Sequence, residues 1–298
     1  MSSELPPIYK TYDPISLDRE YNARESVPSF QEEYDRYVAA SLRAKQTLNA
    51  QSDIVYDLKS GEKLDIYRAS PDNAPLFLWI HGGYWRSSSK EDNAFVALGL
   101  VPHGVSVAIM NYTLAPIASL DEIVRQVRAA AEFLHGGSRS QNIAGGPIAV
   151  GGSSAGGHLV GMLVAEGWRG SVAVNQGIWT ALTLSGLFDL QPLRHTSVNS
   201  WLSLNEEDAI RNSPILNIPS HSNTHLIASV GGRETSEFRC QTADYAAAWR
   251  TGGKSCDIVA MPNHNHFDIA LSLSDPNSPL VLELVRSIRQ WPTRSNQG

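Results

Sequence analysis

One short stretch in the middle of the chain limits the folds that this sequence can adopt. The apolar run from Pro147 to Val150 is typical of a buried strand, and the small, apolar residues from Leu159 onward are typical of a helix. Between them lies Gly152-Ser-Ser-Ala-Gly156, a G-x-S-x-G pentad. Such a pentad turns sharply from strand to helix, with a strained central serine and flanking glycines that let the helix pass close to the strand. The stretch therefore predicts a strand, a tight turn and a helix that present one serine at the carboxyl edge of a sheet.

Ser154 is the predicted nucleophile of this unit. It would lie at a helix N-terminus, where free N–H groups and the positive end of the helix dipole stabilise a developing oxyanion. Ser153 is the competing hydroxyl, but the pentad centres on Ser154, so Ser153 is assigned a supporting or purely structural role. A loop without chemical function is the alternative interpretation. The strand before the turn and the helix after it favour the nucleophile.

Strand and helix patterns alternate over most of the chain. Apolar runs predict strands at residues 75–80, 105–110, 147–152, 181–185, 226–230 and 257–261. Helical periodicity predicts helices at residues 121–134, 237–250 and 278–290. Two short alternating runs, at residues 54–58 and 63–69, predict an antiparallel hairpin. This order of elements predicts an α/β fold with a mostly parallel central sheet flanked by helices.

No linker, repeat or low-complexity segment divides the 298 residues, so the sequence predicts a single domain over residues 1–298. Residues 1–50 are a predicted N-terminal helical extension, with an amphipathic helix from Ser29 to Ala50 that Ser29 caps. This extension either packs on the domain or covers the mouth of a site, and we favour packing. The irregular stretch 187–222 lies between two predicted strands, which is a common place for a lid insertion.

Composition excludes some classes of partner. The formal net charge of −6 and the pI of about 5.8 argue against a nucleic-acid-binding or anionic-membrane surface. No apolar run reaches the roughly 18 residues that span a bilayer, and no secretory signal is evident after Met1. Cys240 and Cys256 are expected to be free thiols. We expect a cytoplasmic protein with a small-molecule substrate and no nucleic-acid or membrane partner, and we keep a homodimer as an alternative to a monomer.

A nucleophilic serine needs a base, and in a fold of this kind the order along the chain is serine, acid, histidine. Two histidines, His264 and His266, follow the last predicted strand. We assign the base to His266, because an aromatic residue and a helix-like apolar pattern follow it, and keep His264 as the alternative. Metal ligation by His264, His266 and Asp268 is a weak rival, since no recognised metal-binding pattern accompanies them.

The acid that orients the base is expected after the predicted strand at 226–230. Glu234 lies a few residues beyond that strand and is the preferred acid, whereas Glu237 fits better at the start of the next helix. Asp189, after the preceding strand, is the alternative. Aspartate is the commoner acid in such triads, so the glutamate assignment stays open at this point.

An oxyanion hole would complete the chemistry. Its predicted donors are the backbone N–H of Ala155, directly after the nucleophile, and the N–H groups of Gly82 and Gly83 after the strand at 75–80. His81 can hold this loop through its ring. The position of the two glycines, between a buried strand and an aromatic pair, favours this role over that of a plain turn.

Aromatic residues near this loop are candidates for substrate binding. Tyr84 and Trp85 directly follow the glycines, and Trp201 and Phe267 are further candidates for stacking on an aryl leaving group. Ordinary packing in the core or at its rim is the alternative for all four.

Taken together, these motifs resemble those of known enzymes. The HGG loop and the GxSAGG turn are similar to those of the α/β-hydrolase esterases and lipases related to hormone-sensitive lipase. A wider set of motifs resembles the kynurenine formamidase (arylformamidase) family over nearly the whole chain: Tyr21-Asn-x-Arg24, His81-Gly-Gly-Tyr-Trp85, Gly152-Ser-Ser-Ala-Gly-Gly-His158, Ser185-Gly-Leu-Phe-Asp189-Leu and Asn265-His266-Phe267. The resemblance implies an α/β-hydrolase fold, hydrolysis of N-formylkynurenine to kynurenine and formate in tryptophan catabolism, and a triad of Ser154, Glu234 and His266.

These motifs are consistent with three functions. The first is an arylformamidase that works through an acyl-enzyme, and the second is a short-chain carboxylesterase of broad specificity that uses the same machinery. The third and more remote is a non-catalytic binding protein of the α/β-hydrolase fold, which would have no need to keep Ser154, His266 and the HGG loop. No cofactor and no bound metal are expected.

Overall fold

A mostly parallel, eight-stranded sheet forms the centre of the computed structural model, which describes residues 6–71, 74–137, 141–143, 145–167 and 177–290. The strands are β1 (Ala50–Val55), β2 (Lys63–Tyr67), β3 (Leu76–Ile80), β4 (Ser106–Met110), β5 (Ile148–Ser153), β6 (Ile178–Leu184), β7 (His225–Ser229) and β8 (Cys256–Ile258). Their spatial order is β1-β2-β4-β3-β5-β6-β7-β8. The β1–β2 and β2–β4 pairs are antiparallel, and the other neighbours are parallel.

Helices connect and cover the strands. They are α1 (Pro14–Glu20), α2 (Phe30–Thr47), α3 (Ala97–Leu100), α4 (Leu120–Gly136), α5 (Ala155–Leu163), α6 (Asn199–Leu202), α7 (Glu206–Arg211), α8 (Ser236–Thr251), α9 (Asp268–Leu271) and α10 (Pro279–Arg289). Short 3-10 turns lie at Lys90–Val96, Val101–His103, Pro192–His195, Pro214–Leu216 and Ser272–Ser274. Among the described helices, none has both the length and the hydropathy needed to cross a bilayer.

Strand β3 shows why helices cover both faces of the sheet. Its residues Leu78 and Ile80 are buried in one hydrophobic core, and Phe77 and Trp79 are buried in a second core on the opposite face. The first core includes side chains of α4, α5 and α8, and the second includes side chains of α3 and α10. A strand that is apolar on both faces requires such a cover, since water must be excluded from each side. The predicted α/β fold is confirmed.

The carboxyl ends of the parallel strands meet at one edge of the sheet. Ile80, the last residue of β3, pairs with Gly152 of β5, and Leu184, the last residue of β6, pairs with both Ser153 and Ser229. The loops that follow β3, β5, β6 and β7 therefore emerge side by side. This edge is where ligands bind in open parallel sheets.

The first strand lies earlier in the chain than predicted. It ends at Val55, whereas the sequence pattern places it at residues 54–58. The carboxylate of Asp57 accepts hydrogen bonds from the backbone N–H groups of Lys59 and Ser60, which are both 3.3 Å away. These local bonds favour a turn over an extended strand, and they end the hairpin strand early.

Two glycines allow the helix α5 to follow β5 directly. A Cβ atom on Gly156 would lie 2.0 Å from the carbonyl oxygen of Ile80, and one on Gly152 would lie 2.4 Å from the carbonyl oxygen of Gly156. Both neighbours are backbone atoms of elements packed in the core. Neither glycine can therefore carry a side chain unless β3 or α5 moves.

We expect the substitution Gly156→Ala to lower the free energy of unfolding by about 1 to 3 kcal/mol or more, since it overpacks a rigid backbone contact. Gly136→Ala is the matched control, because nothing lies within 4 Å of a Cβ atom at that helix end. The control should be neutral or stabilise the protein by about 0.5 to 1 kcal/mol. Urea unfolding of both variants gives the comparison, and an unchanged midpoint for Gly156→Ala would contradict the expected clash.

His158 connects the helix α5 to two other segments. Its buried ring accepts a hydrogen bond at Nδ1 from the indole Nε1 of Trp85 (3.2 Å), and its Nε2 donates to the carbonyl of Asn212 (2.8 Å). This pair of bonds needs a neutral ring with its proton on Nε2. Burial lowers the pKa of His158 from 6.5 to about 4, so the ring stays neutral at physiological pH.

The lowered pKa of His158 makes stability depend on pH. Between pH 6.5 and pH 4 the unfolded chain binds a proton at this position that the folded chain does not, so acid favours unfolding. We expect this group alone to remove on the order of 2 kcal/mol of unfolding free energy between pH 7.5 and pH 5. Denaturant unfolding at both pH values should show a smaller drop in His158→Gln than in the unsubstituted protein. Equal drops in the two proteins would refute this account.

Candidate active site

Ser154 lies at the junction of β5 and α5 in a strained backbone conformation. Its φ and ψ are 57° and −121°, a region that few residues other than glycine adopt. Its backbone N–H donates a hydrogen bond to the carbonyl of Leu184 (2.8 Å), which holds the turn against β6. The residue is 6% exposed and lines a cavity at the carboxyl edge of the sheet. The geometry is that of a nucleophile turn.

A buried carboxylate contacts the predicted base. Oε2 of Glu234 lies 2.6 Å from Nδ1 of His266, and each residue is 4% exposed. The other oxygen, Oε1, accepts hydrogen bonds from the hydroxyl of Ser185 (2.5 Å) and from the N–H of Gly231 (2.6 Å). Three donors fix the carboxylate, which in turn holds the proton of His266 on Nδ1. Nε2 is then the basic nitrogen, and the ring of His266 lines the same cavity as Ser154.

Ser185 is a site residue that the sequence interpretation missed. It directly follows β6 and has a positive φ of 50°. Its place in the Ser185-Gly-Leu-Phe-Asp189 motif was the available signal, but nothing in the sequence shows that its hydroxyl reaches a carboxylate 49 residues further on.

The two alternative acids have other partners. The carboxylate of Asp189 accepts the N–H of Gln191 (2.9 Å), which is a local turn bond. The carboxylate of Glu237 forms an ion pair with Lys10 (3.0 Å) and is 2% exposed. Of the three candidates, the structure brings Glu234 to the base.

The alternative base has a different environment. His264 lines a different cavity, together with Asp268. Its carbonyl accepts the N–H of Arg233 (3.0 Å), so its backbone supports the loop that carries Glu234. Among the described residues, His264, His266 and Asp268 do not form a group whose ligand atoms lie close enough together to hold a metal ion.

The predicted oxyanion donors lie close to the nucleophile. A Cβ atom on Gly82 would be only 3.2 Å from Cβ of Ser154, so the backbone of this loop passes directly beside the serine. Gly83 has a φ of 97°, which favours glycine, and both glycines line the cavity. Ala155 is the first residue of α5, where the N–H lacks an acceptor within the helix. The three residues thus lie beside Ser154 or in the same cavity wall, and their role as an oxyanion hole stays a prediction.

His81 and Tyr112 hold the glycine loop. Their rings stack at 4.3 Å, and the hydroxyl of Tyr112 donates to the carbonyls of His81 (3.1 Å) and Gly82 (3.3 Å). Burial lowers the pKa of His81 to about 4, so its ring is neutral, and its Nδ1 lies 2.9 Å from the Gly82 carbonyl. These bonds fix the carbonyls, and hence the direction of the peptide N–H groups.

The cavity in front of Ser154 has a volume of about 520 Å³. Its wall comes partly from the N-terminal extension and partly from the stretch 187–222, as well as from the sheet edge. Seven aromatic residues line this wall: Tyr21, Phe30, Tyr34, Tyr37, Tyr84, Trp201 and Phe267. The sequence favours an extension that only packs on the domain. The structure shows that the extension also forms part of the cavity wall. That the stretch 187–222 moves as a lid stays a prediction, although Ser197, Val198 and Trp201 do cover the cavity.

The structure corrects the assignment of Trp85 to substrate binding. Its side chain is fully buried in the core, where its indole donates to His158, and it does not line the cavity. Tyr84, its neighbour, does line the cavity. The chain turns sharply here, with positive φ at both residues (49° and 58°), and the two side chains point in different directions. Trp201 lines the cavity, and its indole donates to the carbonyl of Tyr84 (3.0 Å).

Helix α2 holds the loop that carries His266 at both sides of the histidine. The side-chain amide of Asn265 donates to Oε1 of Glu33 (2.7 Å), and the hydroxyl of Tyr37 donates to the carbonyl of Phe267 (2.8 Å). Apart from the helical spacing of the aromatic residues of α2, nothing in the sequence indicates this contact. The N-terminal extension is thus part of the support of the base.

Comparisons with known proteins agree with this geometry. The family model described as BD-FAE matches residues 64–180. The kynurenine formamidase of Salmo salar is 34% identical over 251 residues, covering 82% of this chain and 84% of that protein. The kynurenine formamidase of Danio rerio is 33% identical over 253 residues, covering 83% and 84%.

Solved structures show the same architecture. A proposed thioesterase from Silicibacter sp. TM1040 has a TM-score of 0.80 at 28% identity and covers 92% of this chain and 98% of its own. A thermostable carboxylesterase from a metagenomic library has a TM-score of 0.70 at 17% identity, covering 93% and 97%, and shows the fold alone. The predicted α/β-hydrolase fold is confirmed. With 34% identity to a relative over most of both chains, this protein belongs to the kynurenine formamidase family and is a hydrolase of the α/β-hydrolase type.

Proposed function

We propose that the protein is an arylformamidase that hydrolyses N-formylkynurenine to kynurenine and formate. The observation that carries the chemistry is the buried Glu234–His266 pair, which opens on the same cavity as Ser154. The substrate is inferred from the two fish relatives, which are named kynurenine formamidases. In this role the enzyme would act in tryptophan catabolism. The free thiols Cys240 and Cys256 suit the reducing cytoplasm, the compartment that we propose.

The first half of the proposed mechanism acylates the serine. Nε2 of His266 takes the hydroxyl proton of Ser154 while Oγ attacks the formyl carbon. Backbone N–H groups of Gly82, Gly83 and Ala155 stabilise the oxyanion of the tetrahedral intermediate. When the C–N bond breaks, His266 returns its proton to the aryl amine. The formyl group is left on Ser154 as an ester, and the arylamine leaves.

The second half restores the enzyme. Water gives a proton to Nε2 of His266 and attacks the formyl ester, and the same N–H groups stabilise the second oxyanion. The ester bond to Oγ then breaks, His266 protonates the serine, and formate leaves. Glu234 keeps its negative charge and stabilises the imidazolium in each half.

The site suits a short acyl group on an aromatic leaving group. Ser154 is only 6% exposed and lies against Gly82, which leaves little space beside its hydroxyl. The wider cavity in front is lined by the rings of Tyr84, Trp201 and Phe267, which can stack on an aryl amine.

We expect Ser154→Ala to lower kcat/KM by about four to six orders of magnitude while the fold is retained. Glu234→Gln should lower it by about four orders of magnitude, because the amide no longer holds the proton of His266 on Nδ1. Asp189→Asn is the matched control for the acid, and it should keep most of the activity. Steady-state kinetics of the variants identifies the acid of the triad, and circular dichroism checks that each variant is folded. Full activity in Glu234→Gln, or its loss in Asp189→Asn, would move the acid away from Glu234.

The substrate is tested by comparing kcat/KM for N-formylkynurenine with that for p-nitrophenyl acetate and p-nitrophenyl butyrate. We expect a preference for the formamide of about two orders of magnitude or more, since aromatic and polar side chains line the cavity and can contact an aryl group with polar substituents. A preference for the esters would instead support a short-chain carboxylesterase. No hydrolysis of any of the three by folded protein would support a non-catalytic role.

A further inference from the structure

Two arginines in the cavity wall lie on aromatic rings. The guanidinium of Arg24 is 4.3 Å from the ring centroid of Phe30, and that of Arg86 is 4.1 Å from the ring of Trp201. Both arginines and both rings line the cavity in front of Ser154. The cation–π contacts hold the two charges at the wall of the site.

Neither guanidinium forms an ion pair within the part of the chain that the structure describes. Four arginines elsewhere do so: Arg36 pairs with Glu33, Arg125 with Asp57, Arg211 with Asp121 and Arg286 with Glu283. The chain has 30 acidic residues against 24 Lys and Arg, so acidic partners are abundant. Other described arginines, such as Arg19 and Arg43, also lack an ion pair, but unlike them Arg24 and Arg86 line the cavity.

A guanidinium that rests on a ring keeps its N–H edge free. That edge binds a carboxylate through two parallel hydrogen bonds, an arrangement that lysine cannot make. Arg24 also belongs to the Tyr21-Asn-x-Arg24 motif, for which the proposed chemistry gives no role. The two arginines are therefore suited to bind an anion with the geometry of a carboxylate.

An acidic residue lies in the same wall. Asp18 lines the cavity, and its Oδ1 accepts the N–H of Ser197 (2.6 Å), which fixes the carboxylate against the stretch 187–222. A wall with both cations and an anion matches a zwitterion, such as the α-amino-acid group of a substrate.

We propose that Arg24 and Arg86 form a carboxylate-binding subsite, with Asp18 as the partner of an ammonium group. This subsite would select aryl formamides whose leaving group carries an α-amino acid. The inference rests on the proposed function, because it takes the cavity as the place where the formamide is cleaved.

The test compares two formamides that differ only in the amino-acid group. N-formylkynurenine carries it, and 2′-formamidoacetophenone has the same aryl ketone and formamide without it. The unsubstituted enzyme should prefer the first, mainly through KM, by about 10- to 100-fold, the range for hydrogen bonds to charged groups. Arg24→Gln and Arg86→Gln should each lose about tenfold or more on N-formylkynurenine and stay within about twofold on the neutral formamide.

Two further variants control for general effects. Arg43→Gln removes an exposed arginine of α2 that does not line the cavity, and it should change neither substrate. Arg24→Lys keeps the charge but loses the paired N–H edge, so it should fall between the glutamine variant and the unsubstituted enzyme. Equal losses on both formamides, or no preference in the unsubstituted enzyme, would overturn the subsite.

A binding measurement separates this inference from the proposed function. If the enzyme cleaves neither formamide, the proposed function fails, and calorimetry with kynurenine and 2′-aminoacetophenone still tests the subsite. Tighter binding of kynurenine that Arg24→Gln abolishes would support the subsite. Equal binding of the two compounds would overturn it.

Discussion

The helix α5 passes so close to the end of β3 that the backbone of Gly156 lies against the carbonyl oxygen of Ile80. This contact places three parts of the site at once. It accompanies the strained turn at Ser154, it brings the first turn of α5 against the end of β3, and it sets where the glycine loop leaves β3 relative to α5. The strain is local, but it is held by two buried hydrophobic cores. A site of this geometry therefore depends on the packing of the whole sheet.

Buried polar groups determine the chemistry at the carboxyl edge of the sheet. Glu234 has three hydrogen-bond donors, which compensate its charge, and no lysine or arginine of the described residues forms an ion pair with it. His81 and His158 are neutral because burial disfavours their charged forms, and each is used as a structural connector. Histidines of one chain thus take different roles, which follow from what surrounds each ring and not from the residue type.

Much of this arrangement can be predicted from the sequence, because strand ends carry regular signals. The pentad indicates Ser154, and the order of strands then confines the acid and the base to loops that the parallel sheet brings together. Tertiary contacts leave no such signal. Ser185 and Tyr112 support the site through single hydroxyl groups, and local periodicity contains no information on what a hydroxyl reaches. Trp85 was misassigned for a related reason: the pattern shows that an aromatic pair follows the glycines, but not which ring turns to the core.

The support of His266 by α2 has a consequence for how the protein is made. The hydrogen bonds from Asn265 to Glu33 and from Tyr37 to Phe267 join residues that are 232 and 230 positions apart. Synthesis runs from the N-terminus, so α2 leaves the ribosome long before the loop that it holds. Contacts of such high sequence separation form late in folding, after the local ones. A nascent chain can therefore form the serine turn and the glycine loop before the loop of His266 is held in place, and we expect hydrolysis only after α2 and that loop have met.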